Sequence, residues 1–162
     1  MSPLAIVTGG SRGIGRDIVK KLILVGYQVF FTYKNSQVQA TELVNINPKL
    51  CQSFQVDHLN KLEIEEFSTK VLQVETPSIL INCVGMNCDE IFFNQEYDKF
   101  WETMQLNFGS AVFLTKLFLP AMMEKRHGHI INISSVAANK PKIGNSAYGA
   151  SKIALERFSK SL

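Results

Sequence analysis

A chain of 162 residues, 46% hydrophobic and 19% charged, can bury a real core, and residues 1–162 are read as a single domain. The net charge of +3 is uneven, with 9 Lys+Arg against 12 Asp+Glu through Leu106 and 8 against 2 from Asn107 onward. The basic residues are nevertheless scattered without interleaved aromatics, which excludes nucleic acid and leaves an acidic partner or a phosphate-bearing ligand, while Cys51, Cys83, Cys88, His58, His127 and His129 share no paired ligand spacing, which excludes a metal site.

In chain order, the opening MSPLAIVTGG lacks the basic region of a leader, and no stretch approaches membrane-spanning length. A soluble cytoplasmic protein with no membrane partner is therefore expected. Residues 4–8 (LAIVT) read as a buried strand, and the turn TGGSRGIG follows it. In that turn Gly9 lets the chain leave the strand sharply, Gly13 lets the backbone approach a pyrophosphate, and Gly15 lets the next helix pack closely. That helix carries Ile14, Ile18, Leu22 and Val25 as its apolar stripe and Gly26 as its C-cap.

Residues 27–33 (YQVFFTY) are the second strand, residues 51–56 the third, ending at Asp57, and residues 78–84 the fourth, ending near Gly85. Residues 107–120 form a helix that is apolar almost all round, so one face packs on another copy, and a homo-oligomer, dimer or tetramer, is expected. The fifth strand spans residues 128–134, and a helix beginning near Ala147 carries Tyr148 and Lys152, four apart and therefore on one face. Near-continuous apolar strands alternating with helix-length segments predict an α/β fold, a doubly wound parallel sheet of the Rossmann type. Ligands of such a sheet sit beyond the carboxyl ends of the strands, where the glycine turn, Asp57 and Gly85 lie.

In order and nearly end to end, Thr8-Gly9-x-x-x-Gly13-x-Gly15, Asp57, Asn82 with Gly85, Asn107, Ser135 and Tyr148-x-x-x-Lys152 resemble the short-chain dehydrogenases/reductases. The interval of 13 between Ser135 and Tyr148 adds to the likeness; NCVG, where the family usually has Asn-Asn-Ala-Gly, departs from it. The resemblance implies an oxidoreductase with catalytic Asn107, Ser135, Tyr148 and Lys152. A free tyrosine titrates near pH 10 and needs a neighbouring cation to act as acid or base at neutral pH, a place that Lys152 fills. Ser135 is placed to orient and polarise the substrate carbonyl, and the resemblance further implies that Lys152 holds the nicotinamide ribose and that Asn107 positions a water in the proton relay.

Cofactor contacts implied by the same resemblance are Gly9, Ser11, Arg12, Gly13, Ile14, Gly15, Lys34, Asp57, His58, Asn82, Gly85, Tyr148 and Lys152. Asp57 accepts from the adenine amino group and His58 contributes mainly backbone. NAD-selective folds place an acid about 20 positions past the glycines; here none lies between Asp17 and Glu42, whereas Arg12 and Lys34 can flank a 2′-phosphate, so NADP(H) is expected.

The branch most resembled is the β-ketoacyl-[acyl carrier protein] reductases of fatty acid biosynthesis. It implies NADPH-dependent reduction of a 3-oxoacyl thioester, with the basic Lys125, Arg126, Lys140 and Lys142 available to steer an acidic carrier protein or, for the first pair, to cap a helix end. The alternatives are an acetoacetyl-CoA or other small-ketone reductase, and a non-catalytic cofactor-binding fragment. Against the family pattern the chain is expected to stop early, inside the Tyr148 helix, without the later strands and substrate lid, and so to have feeble activity alone.

Overall fold

The computed structural model describes residues 2–162. Five parallel strands, β1 (Leu4–Val7), β2 (Gln28–Tyr33), β3 (Cys51–Gln55), β4 (Ile79–Asn82) and β5 (His129–Asn132), form one sheet in the order β3-β2-β1-β4-β5. The helices are α1 (Gly13–Leu24), α2 (Gln37–Val44), α3 (Lys61–Val74), α4 (Tyr97–Met104), α5 (Ser110–Glu124) and α6 (Ser146–Ser159). This is the expected doubly wound architecture. The strand order reverses on either side of β1, so the turns after β1 and β4 flank the switch point.

Burial explains which strands read as apolar runs. β1 is buried at every residue and the middle of β2 is too, because both faces of the central strands are covered. The edge strands differ: β3 exposes Gln52 and Gln55, and β5 exposes His129 and Ile131. The register aligns Val7 with Phe31 on one side and with Ile81 on the other, so Thr8, Thr32 and Asn82 emerge together at the carboxyl end.

The chain divides into two compact units, Met1–Val84 with Leu114–Ile131, and Gly85–Phe113 with Asn132–Leu162. In the first, a run of aromatic contacts fills one side of the sheet: Phe30 to Phe54 at 5.3 Å, Phe54 to Phe67 at 5.1 Å and Phe67 to Phe118 at 6.5 Å between ring centroids. Such edge and tilted pairs add about 0.5–1.5 kcal/mol each beyond the area they bury.

The apolar stripe of α1 is displaced by one residue from the expected one. Gly15, Val19 and Ile23 are buried, while Ile14 and Val25 are 63% and 68% exposed. The reason is Gly15: a Cβ there would collide with the Gly9 carbonyl, so the residue without a side chain turns inward and fixes the rotation of the helix. Gly26 ends α1 as expected, at φ +90°, with its N–H on the Ile23 carbonyl and the Tyr27 N–H on the Leu22 carbonyl.

A second difference concerns helix length. α4, a π-helical turn at Gln105–Gly109 and α5 run on as one helix, Tyr97–Glu124, long and apolar enough by length and composition to cross a membrane. The sequence reading starts a new helix at Asn107 and so misses this continuity. Its buried positions include the polar Asn107, Ser110 and Thr115 beside Ala111, Leu114 and Phe118, so part of this helix packs against the rest of the chain.

Candidate functional site

In the first unit, Thr8 ties together the two strand ends at the switch point. Its Oγ1 accepts the N–H groups of Cys83 (2.9 Å) and Val84 (3.0 Å), and Gly9 packs so closely on Val84 that a Cβ would stand 3.2 Å from its Cα. Because backbone amides make this clamp, the NCVG departure leaves the turn intact. Gly9 and Gly13 both adopt positive φ, +67° and +54°, which glycine takes at least cost, and the space beyond the Gly13 Cα is open to 4 Å. Helix α1 then starts at Arg12 with no side-chain cap and no acid in its first turn. Its unfilled N–H groups and positive dipole end suit a phosphate, so the residues present fit a dinucleotide. Ser11 is buried in the turn, whereas Arg12 and Ile14 are exposed.

Lys34, two residues past Thr32, pairs with Asp57: Nζ lies 2.7 Å from Oδ2. Asp57 Oδ1 accepts the Leu59 N–H, and the Asp57 N–H donates to Glu63 Oε2 at 2.7 Å, which fixes the orientation of the residue. Partial burial opposes ionisation of Asp57, but the Lys34 hydrogen bond and the Leu59 N–H outweigh it and hold its carboxyl below the ordinary carboxylate value. Asp57 thus meets a cation before any adenine. Asn82 is buried, with Nδ2 3.4 Å from Thr115 Oγ1.

His58 is buried as a side chain, which the expected backbone role does not anticipate. Only 4% of it is exposed, and its Nε2 lies 2.7 Å from Thr32 Oγ1. Burial, opposed by the Asp57 and Glu63 carboxylates, pushes it down from 6.5 to about 4. Between those two values the unfolded chain binds a proton that the folded chain refuses, so stability is full above pH 6.5 and falls as the pH drops towards 4. Urea denaturation at pH 7 and pH 4.5 is expected to differ by about 2–3 kcal/mol from this group alone, and His58→Phe to remove that part of the difference.

In the second unit, Asn107 sits in the π-helical turn with 1% exposure. Its Oδ1 accepts the Met86 N–H (2.8 Å), and its Nδ2 donates to the Met86 carbonyl (2.9 Å) and to Ser151 Oγ (3.0 Å). Ser151 in turn donates to the Tyr148 carbonyl at 2.7 Å, so the asparagine is tied to the helix turn that carries the tyrosine. A Cβ on Gly85 would lie 3.1 Å from Asn107 Oδ1 and 3.6 Å from Lys152 Nζ; the missing side chain leaves room for both.

Lys152 is 4% exposed, its Nζ donates to the Ile133 carbonyl at 2.8 Å, and it stands 5.6 Å from the centroid of the Tyr148 ring. The expected i, i+4 pair is therefore a buried cation beside a half-buried phenol, not a solvated cover. Ser135 caps the short 3-10 turn at Val136–Ala138, its Oγ accepting the Ala137 N–H at 3.2 Å, which leaves its proton to donate. Gly149 lets α6 approach this turn: a Cβ there would be 3.1 Å from the Ala137 carbonyl. Glu156 fastens the same segment to α6, accepting from Ser134 Oγ at 2.7 Å and from Asn139 Nδ2 at 3.3 Å. Thr8, Thr32, Ser151 and Glu156 are absent from the sequence reading of site contacts because each acts through a partner distant in the chain.

The short-chain dehydrogenase family description matches residues 3–162. The chain belongs to the short-chain dehydrogenase family. It is 33% identical over 162 residues to the NADP-dependent 3-hydroxy acid dehydrogenase YdfG of Escherichia coli K12, covering 98% of this chain and 64% of that one. To the 3-oxoacyl-[acyl-carrier-protein] reductase FabG of the same organism it is 32% identical over 162 residues, covering 98% and 65%. A metagenomic short-chain oxidoreductase solved in complex with NADP superposes with a TM-score of 0.90 at 30% identity, over 98% of this chain and 73% of that one. The chain thus spans about two thirds of the length of these two E. coli relatives.

Proposed function

We propose that this short-chain dehydrogenase family member reduces a ketone to a secondary alcohol with NADPH, and that the ketone is a 3-oxoacyl thioester carried by acyl carrier protein. The observation that carries the reaction type is the buried Lys152 beside Tyr148, with Asn107 and Gly85 against it. The bound nicotinamide supplies a hydride. The Ser135 hydroxyl donates to the substrate oxygen and stabilises the negative charge that grows there. Tyr148 gives its phenolic proton to that oxygen, and the fixed positive charge of Lys152 stabilises the phenolate left behind. In the first unit the α1 N-terminus receives the pyrophosphate, and Arg12 with Lys34 flanks the 2′-phosphate.

The thioester reading is supported by similarity to FabG, and a smaller 3-hydroxy acid or other ketone by similarity to YdfG. Lys125 and Arg126 are exposed, as carrier docking requires, but they also close α5. Arg126 takes φ +50° with its N–H on the Met123 carbonyl, and the His127 N–H reaches the Met122 carbonyl. Cytoplasmic location and assembly as a dimer or tetramer belong to the same proposal, the latter supported by Tyr97 and Trp101, 75% and 51% exposed on α4.

Nicotinamide fluorescence titration tests the cofactor: NADPH is expected to bind at least about 10-fold more tightly than NADH, and Arg12→Ala or Lys34→Ala to erase most of that gap. Lys34→Ala should be the more severe, because it also leaves the Asp57 carboxylate without its cation. Equal affinities in the unaltered protein would overturn the NADP assignment. NADPH oxidation with acetoacetyl thioesters of carrier protein and of coenzyme A, against a free 3-oxo acid, then decides the substrate; activity on the free acid alone would replace the thioester reading.

A further inference from the structure

The end of β2 holds the root of the glycine turn through one residue. The Gly10 N–H donates to the Thr32 carbonyl at 2.9 Å, and the Gly9 N–H donates to Thr32 Oγ1 at 3.2 Å. Beside them, a Cβ on Gly10 would stand 2.6 Å from the Phe31 Cβ, so the turn lies flat against this part of β2. Thr32 itself is fully buried, and the partner on its hydroxyl is His58 Nε2 at 2.7 Å, from the segment that follows β3. A threonine hydroxyl has one proton to give and two lone pairs. With the Gly9 N–H on one lone pair, the arrangement that uses the proton sends it to a neutral His58 Nε2. The bonds then run in one direction, from Gly9 N–H to hydroxyl to imidazole, each polarising the next.

His58 Nδ1, also buried, has no hydrogen-bond partner among the described residues. An imidazole half unmatched in a core is not the side chain that burial alone favours, so its placement points to the one bond it does make.

We propose that His58 is a positioning residue for the dinucleotide: acting through Thr32, it fixes the Gly9–Gly10 root of the turn so that the amides beyond it meet the pyrophosphate already in place. The inference rests on the dinucleotide reading of that turn, and it assigns His58 a role in affinity without a side-chain contact to the ligand. The latch joins the turn after β1, the end of β2 and the segment after β3, so loosening the histidine loosens a turn nearly fifty positions earlier in the chain.

The test compares unaltered protein with Thr32→Val, Thr32→Ser and His58→Phe, the last keeping a ring while removing both nitrogens. NADPH affinity is read by fluorescence, and amide hydrogen exchange at Gly9 and Gly10 is read in ligand-free protein by NMR, with Phe67 in α3 as the reference amide. Thr32→Val and His58→Phe are each expected to weaken NADPH about 5- to 20-fold and to speed Gly9 exchange by at least about 5-fold, with Phe67 unchanged. Thr32→Ser, which keeps the hydroxyl, should stay within about twofold. If His58→Phe does not fold, His58→Leu carries the same expectation. Gly9 exchange and NADPH affinity unchanged in the histidine variant, or faster exchange at Gly9 and Phe67 alike, would overturn the proposal. A failure of the unaltered protein to bind NADPH would instead overturn the dinucleotide reading, and Gly9 exchange would still decide whether the latch exists.

Discussion

Tyr148→Phe is expected to lower kcat by about 10²–10⁴-fold while NADPH affinity stays within about threefold. The asymmetry follows from what the substitution removes. Phenylalanine keeps the ring that Lys152 faces at 5.6 Å and the backbone carbonyl that Ser151 Oγ bonds at 2.7 Å, so the packing of α6 is preserved and only the proton donor is lost. Rates of NADPH oxidation with the preferred ketone, set beside fluorescence titration of NADPH, make the comparison. A variant turning over near the unaltered rate would show that another acid protonates the alkoxide. A variant that lost cofactor binding and turnover together would show that the hydroxyl has a structural part.

Lys152→Ala is expected to cost both quantities: turnover by about 10³-fold or more and NADPH affinity by about tenfold, with a loss of stability on the order of 1–3 kcal/mol. The side chain is 4% exposed and its ammonium donates to the Ile133 carbonyl at 2.8 Å, two residues before Ser135. Removal therefore strips a part-buried carbonyl of its donor and loosens the segment that carries the serine, besides removing the charge beside the phenol. Lys152→Met separates these effects, because it fills the space of the stem without the charge. Turnover should stay at the alanine level in the methionine variant, while thermal unfolding moves back towards the unaltered protein. Recovery of turnover by methionine would mean that Lys152 acts by packing and not by charge.

The sequence by itself determined the architecture and the family. Near-continuous apolar runs in β1, β2 and β4, glycines at 9, 13 and 15, and the order of Asp57, Asn107, Ser135, Tyr148 and Lys152 are properties of neighbours along the chain, and local periodicity and turn chemistry read them directly. The rotation of α1 was not legible, because it is set by Gly15 pressing on the Gly9 carbonyl rather than by the count of apolar residues on a helical wheel. Nor was the environment of the Tyr148–Lys152 pair: the same four-residue spacing on an exposed helix is a solvated contact, and only the packing of α6 makes it a buried cation beside a phenol. The unpredicted contacts share one physical cause. Thr8 with Cys83 and Val84, Thr32 with His58, Asn107 with Ser151 and Glu156 with Ser134 are hydrogen bonds of polar side chains between residues 22 to 76 positions apart. A strand end or a helix turn fixes where each residue goes. Which hydroxyl, amide or imidazole it then meets is decided only when the tertiary structure brings the two together.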